Sequence, residues 1–268
     1  MAKKALCVGI NNYPGTYNDL KGCVNDANDW AKLLSDEFAF SGSVKLLTDS
    51  DATKKKITSA LENLVSGAKG GDIIVFTYSG HGTWVYDQGE RDESDNRDEA
   101  ICAHDDIIID DEIRSIISKI DREAHLVVIS DSCHSGSVTR AQLRRTYKED
   151  NMAAENAPKP RYMPPMDNAD AVSTGLIPIR KRFLYPESNM AEILLAGCNA
   201  TEYSYDAYID SRFNGAMTAM AIRLIKSNPE QTYRELHKNL RKILPSSRYP
   251  QAPQLEGSES NKDLQLFT

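Results

Sequence analysis

The chain is 268 residues long, 40% hydrophobic and 26% charged, an ordinary globular composition with ample length for a sizeable α/β core. Its formal net charge of -7, with basic residues only in short runs such as Lys54 to Lys56, argues against a nucleic-acid partner, which needs a clustered cationic face. The five cysteines (Cys7, Cys23, Cys102, Cys133 and Cys198) form no Cys-x-x-Cys pair, no run approaches the ~20 apolar residues of a membrane span, and MAKKALCVGI lacks a secretory signal pattern, so the expectation is a cytoplasmic protein with free thiols.

In chain order, KALCVGI (4–10) is the first strand-like run. Helical periodicity follows over 20–34, with Leu20, Val24, Ala27, Ala31 and Leu34 on one face. VKLLT (44–48) and DIIVFTYS (72–79) are again strand-like, apolar on both faces as buried parallel strands require. Ile113, Ile116, Ile117 and Ile120 make a helical stripe behind the acidic start Asp110-Asp111-Glu112, which suits a helix N-terminus. HLVVIS (125–130) and EILLAG (192–197) complete the strands, and helices are expected near 214–226 and from Thr232 to Leu244, where Pro245 stops the second. Alternating strands and helices predict an α/β fold, a mostly parallel central sheet with helices on both faces.

Residues 148–190 break this rhythm, with many prolines and little periodicity. They read as a long surface linker between a catalytic portion, 1–147, and a smaller portion, 191–268, of the same domain.

Two strand ends carry the chemistry. DIIVFTYS runs into Gly80-His81-Gly82, and HLVVIS runs into Asp131-Ser132-Cys133-His134-Ser135-Gly136. Carboxyl ends of parallel strands share one edge of a sheet, where ligands bind, so His81 and Cys133 are candidates for one site. A thiol beside an imidazole is the arrangement for acyl transfer, because the imidazole takes the thiol proton and later protonates the leaving amine. The amides of Gly82 and Cys133 are candidate oxyanion donors. Strand alternation puts Asp131 on the side of Cys133 and Ser79 on the side of His81. His134 points away from its neighbour by the same rule and is assigned a structural role.

YSGHG (78–82) and DSCHSG (131–136) resemble the two catalytic motifs of the metacaspases, caspase-like cysteine proteases, here in their prokaryotic, type I-like form, the orthocaspases. The resemblance extends from GINNYPG (9–15) to YPQAPQLEG (249–257), sparing the proline-rich segment. It implies a caspase-like fold and a monomeric endopeptidase that cleaves protein or peptide substrates after Arg or Lys. It also implies a basic-selecting pocket of Asp26, Cys23, Asp131 and Ser79. A carboxylate next to a thiolate raises the thiol pKa, and a docked cationic side chain relieves that, which agrees with such a pocket.

The same resemblance implies a calcium site at Asp98, Asp110 and Asp111, but Arg140 stands where a fourth aspartate is expected. A cation there repels calcium, so no cofactor is expected to be required. Family members also cut themselves after the nucleophile, and Arg144, Arg145, Lys148, Arg161, Arg180, Lys181 and Arg182 are candidates, with Arg144 or Arg145 preferred. A transpeptidase using an amine in place of water, or a non-catalytic regulatory module on this fold, are the alternative readings.

Overall fold

The computed structural model describes residues 1–86, 97–133, 154–164, 192–199 and 202–268. Its centre is a six-stranded sheet of β1 (Lys3–Gly9), β2 (Val44–Thr48), β3 (Ile73–Ser79), β7 (His125–Asp131), β9 (Glu192–Ala196) and β12 (Gln254–Glu256), in the order β12-β9-β7-β3-β1-β2. All neighbours are parallel except β12, which closes one edge antiparallel to β9. The mostly parallel sheet flanked by helices is thus the expected α/β architecture.

Alternate residues of each central strand feed opposite faces. Ala5, Cys7, Ile73, Val75, Val127, Ile129, Ile193 and Leu195 pack with α1 (Cys23–Phe38), α4 (Ala216–Ser227) and α5 (Tyr233–Ile243). Leu6, Val8, Ile74, Phe76, Leu126 and Val128 pack with α2 (Lys54–Ser66) and α3 (Asp110–Ile117) on the other face. Each fully buried Leu or Ile contributes on the order of 1.5–3 kcal/mol, so the two layers hold the sheet from both sides.

Several elements differ from the sequence expectations. The buried stripe of α1 is Cys23, Asp26, Ala27, Trp30, Leu33, Leu34 and Phe38, rotated from the one expected, which turns Asp26 inward. Helix α2 was not expected; Thr53 caps it, accepting from the Lys56 amide, and Ile57, Ala60, Leu61 and Val65 bury its apolar face. Two small sheets were also not expected. One joins β4 (Gly82–Tyr86), β5 (Arg97–Cys102) and β6 (Ile107–Ile109), and the other β8 (Lys159–Pro160), β10 (Tyr205–Ile209) and β11 (Arg212–Gly215). Helix α5 begins as expected at Thr232, in a capping box with Glu235.

Part of the 148–190 segment, expected at the surface, is interior: Arg161 has none of its surface exposed. The carboxylates that it meets account for this exception to the rule that arginines stay outside.

Candidate active site

Ser79 is paired with Asp131 at the ends of adjacent strands β3 and β7, so His81 and Cys133, each two residues further on, leave the sheet side by side. The two strand ends touch: a Cβ at Gly82 would overlap the Cys133 carbonyl, so only glycine allows this approach.

His81 is held from four directions. Its amide donates to the Tyr13 hydroxyl at 2.9 Å, and its carbonyl accepts from the Tyr78 hydroxyl at 2.7 Å and from the Cys102 amide at 2.9 Å. Its Nε2 lies 2.5 Å from the Asn18 carbonyl, which can only accept, so that contact places the ring proton on Nε2. Nδ1 is buried with no hydrogen-bond partner, a lone pair free to take a proton. Burial pushes the imidazole pKa down to about 4; the Asn18 carbonyl opposes this, while the charges of Lys159 and Arg161 add to it. His81 is therefore neutral near pH 7, as a general base must be.

The Cys133 thiol is buried and lies against Ser204, accepting from its amide at 2.8 Å and donating to its carbonyl at 3.2 Å. Cys198 stands next to it. A hydrogen bond to the Cys133 side chain, together with burial, raises the Cys198 thiol well above its ordinary range.

Beside this pair is a pocket of three buried aspartates around the guanidinium of Arg161. Asp26 contacts it at 2.7 Å, Asp206 at 3.1 Å and Asp131 at 3.5 Å, and the Asp131 carbonyl accepts from Nη1 at 3.0 Å. The carboxylates are themselves anchored. Asp26 accepts from Asn214 and the Gly215 amide, Asp131 from Ser204 and Thr218, and Asp206 from the Lys21 and Gly22 amides. Burial pushes Asp26 up to about 6, with Arg161 pulling it down and Asp131 raising it further. Burial disfavours the charge of Arg161, but Cys23, Asp26, Asp131 and Asp206 outweigh it and hold the guanidinium above its usual range.

The backbone of Arg161 lies between the two strand ends. Its carbonyl accepts from the Gly82 amide at 3.0 Å and the Cys133 amide at 3.3 Å, and its amide donates to the Ser204 carbonyl at 2.9 Å.

Of the residues read from sequence, His81, Cys133, Asp26, Asp131, Gly82 and Arg161 are thus brought together. Cys23 is buried near Arg161, its thiol raised well above normal by burial. Ser79 is buried but is not among the groups bonded to Arg161. Asp206, Ser204 and the Asn18 carbonyl were not anticipated. Asp206 had one signal, an acid within the strand YDAYI, whereas Asn18 and Ser204 act largely through backbone atoms that residue identity does not reveal.

Asp98 lies on β5, while Asp110 and Asp111 open α3, where Asp110 pairs with Arg114 at 3.3 Å. Among the described residues no group of three or more His, Cys, Asp or Glu side chains is gathered closely enough to hold a metal ion. Arg140, Arg144, Arg145, Lys148, Arg180, Lys181, Arg182 and His134 lie outside the described residues. Among the described residues no helix is long and apolar enough to cross a membrane.

The family model of the metacaspase peptidase C14 domain matches residues 3–142. Metacaspase-1 of Candida albicans is 33% identical over 294 residues, covering 96% of this chain and 65% of its own length. Metacaspase-6 of Arabidopsis thaliana is 41% identical over 145 residues, 52% of this chain and 39% of that protein. The chain thus spans less than two thirds of the length of either relative. The crystal structure of protein GSU0716 from Geobacter sulfurreducens aligns over 100% of this chain and 99% of its own, with a TM-score of 0.75 and 25% identity.

Proposed function

This chain belongs to the metacaspase family, peptidase C14, and on that footing we propose that it is a cysteine endopeptidase cleaving after Arg, and less readily after Lys, through Cys133 and His81. The observation that carries this reading is Arg161. Its side chain fills a pocket of three buried carboxylates while its carbonyl oxygen accepts from the Gly82 and Cys133 amides.

A substrate arginine takes the place of Arg161. Two amides on its carbonyl oxygen polarise the bond and stabilise the oxyanion that forms there. The Cys133 sulfur attacks the carbonyl carbon, and its proton passes to Nδ1 of His81, whose Nε2–H stays on the Asn18 carbonyl. The imidazolium then protonates the leaving amine as the C–N bond breaks, leaving a thioester on Cys133. Water attacks the thioester, losing a proton to His81; the C–S bond then breaks, the carboxylic acid leaves, and His81 returns its proton to the sulfur to restore the thiol and the neutral imidazole. The buried neutral state of His81 suits a base, and the excess of carboxylates explains selection for a cation and against Asp.

Hydrolysis of fluorogenic peptides ending in Arg, Lys or Asp, by wild type and Cys133→Ala, with calcium or chelator, tests this reading. Cleavage after Arg and Lys by wild type alone is expected. Cleavage after Asp, or activity surviving in Cys133→Ala, defeats it.

A further inference from the structure

We propose that Gln251 is a positioning residue of this site, whose carboxamide fixes the stretch around Ser204 that holds both the Cys133 sulfur and the Asp131 carboxylate. This rests on the reading above and deepens it, since one side chain behind the site then sets nucleophile and pocket in register.

Gln251 lies between α5 and β12 with none of its surface exposed. A buried carboxamide is costly unless both of its ends are bonded, and here they are. Its Oε1 accepts from the Tyr205 amide at 3.0 Å. Its Nε2 donates to the Gly197 carbonyl at 2.8 Å and to the Ser204 hydroxyl at 3.3 Å. The Tyr205 amide can only donate and the Gly197 carbonyl can only accept, so the two ends of the carboxamide cannot exchange. Backbone at the end of β9 and the start of β10 thus sets the orientation of the side chain. The chain next to Gln251 is tied to the same stretch, because the Ala252 amide donates to the Glu202 carboxylate at 2.6 Å.

That orientation directs a proton. Nε2 brings a hydrogen to the Ser204 oxygen, which turns the hydrogen of Ser204 toward its other partner, the Asp131 carboxylate. The second oxygen of that carboxylate accepts from the Thr218 hydroxyl at 2.7 Å, so the pocket carboxylate is aimed from both sides. The backbone of the same serine grips the nucleophile. Its amide donates to Cys133 Sγ at 2.8 Å, and its carbonyl accepts from Sγ at 3.2 Å. That carbonyl also accepts from the Arg161 amide at 2.9 Å, the place a substrate amide takes. Fixing Ser204 from behind therefore fixes the sulfur, the carboxylate and the substrate backbone together. The bonds of Gln251 go to Gly197, Ser204 and Tyr205, so it acts on the reaction through them.

Full-length wild type, Gln251→Met and Gln251→Glu are compared on an Arg fluorogenic peptide. An arginyl chloromethyl ketone counts the competent sites, so that kcat is expressed per active site rather than per chain. Gln251→Met keeps the length and bulk of the side chain but removes its hydrogen bonds. Its kcat per site should fall roughly 10- to 100-fold with KM raised, because small displacements of reacting groups are costly. Gln251→Glu as a carboxylate cannot donate to the Gly197 carbonyl; once protonated it can, and burial favours that protonation. The ratio of its kcat to that of wild type should therefore rise at least about threefold between about pH 8 and about pH 5.5, with the titrations of wild type cancelling in the ratio. A residue that only stabilised the fold would lower the number of competent sites in Gln251→Met and leave their kcat and KM at wild-type values. That outcome overturns the proposal. So does a ratio that stays flat with pH in Gln251→Glu, which decides the matter where the methionine variant fails to fold. Wild type that neither hydrolyses the Arg peptide nor reacts with the ketone instead removes the reading on which the proposal rests.

Discussion

Asp26 and Arg161, 135 residues apart in the chain, meet at 2.7 Å with neither side chain exposed. The same guanidinium nitrogen reaches Asp206 at 3.1 Å, and the other terminal nitrogen reaches the Asp131 carbonyl at 3.0 Å. This is recognition by a planar fork, which an ammonium reproduces poorly. Arg peptides are therefore expected to exceed Lys peptides in kcat/KM by roughly tenfold. Asp26→Asn keeps the shape but removes a buried charge, so transition-state stabilisation for Arg peptides should fall by roughly 2–3 kcal/mol, a drop in kcat/KM of about 30- to 160-fold. Equal turnover of Arg peptides by Asp26→Asn and wild type would show that substrates bind elsewhere.

Gly215 forms the wall of this pocket. Its φ of -66 and ψ of 137 are open to any residue, so conformational freedom does not explain the glycine. Space does: a Cβ would overlap an Asp131 carboxylate oxygen and lie 2.5 Å from Arg161 Nη1. Gly215→Ala should therefore abolish binding of an arginine side chain, seen as loss of saturation with Arg peptides over the concentration range that saturates wild type. A wild-type KM in a folded variant would contradict this assignment.

Tyr78 tests how the base is held. Its hydroxyl lies 2.7 Å from the His81 carbonyl and 2.8 Å from the Cys102 carbonyl, deep in the core. Tyr78→Phe strips both acceptors of that partner, costing about 1–3 kcal/mol of stability in a denaturant titration. Because the ring position then loosens without touching the acidic pocket, kcat should fall by roughly tenfold with KM unchanged. A raised KM with normal kcat would assign Tyr78 to substrate binding instead.

The parallel sheet was legible because its strands are buried on both faces and read as unbroken apolar runs, such as IIVFTYS. Strands of the small sheets, such as RFNG and YDAYI, are short and polar and take their conformation from long-range pairing, so no local pattern marked them. Helix α2 hid behind its opening lysines, although Ile57, Leu61 and Val65 carry a regular apolar stripe. In the site, the strand ends bearing His81 and Cys133 stood out because glycines and polar residues follow apolar runs there. Asp206 did not, since its partner Arg161 lies 45 positions upstream in sequence that looked like linker. Self-cleavage was expected near Arg144 or Arg145, which lie outside the described residues; the candidate placed in the pocket is Arg161.

His81 also makes a prediction about acid. Its pKa is lowered from 6.5 to about 4 by burial, so between those values the unfolded chain binds a proton that the folded one does not. Its contribution is thus fully favourable above pH 6.5 and is lost as pH falls toward 4, by roughly 3 kcal/mol. Asp26 works in the opposite sense. Burial raises it from 3.8 to about 6, so the folded chain takes up its proton first and gains stability on acidification over that window. The two effects oppose each other in the wild-type curve, and only a difference separates them. In a Cys133→Ala background, where self-cleavage cannot interfere, His81→Gln should lose roughly 3 kcal/mol less unfolding free energy than its parent between pH 6.5 and 4. Denaturant titrations at several pH values measure this, and parallel curves for the two proteins would mean that His81 is protonated inside the folded site.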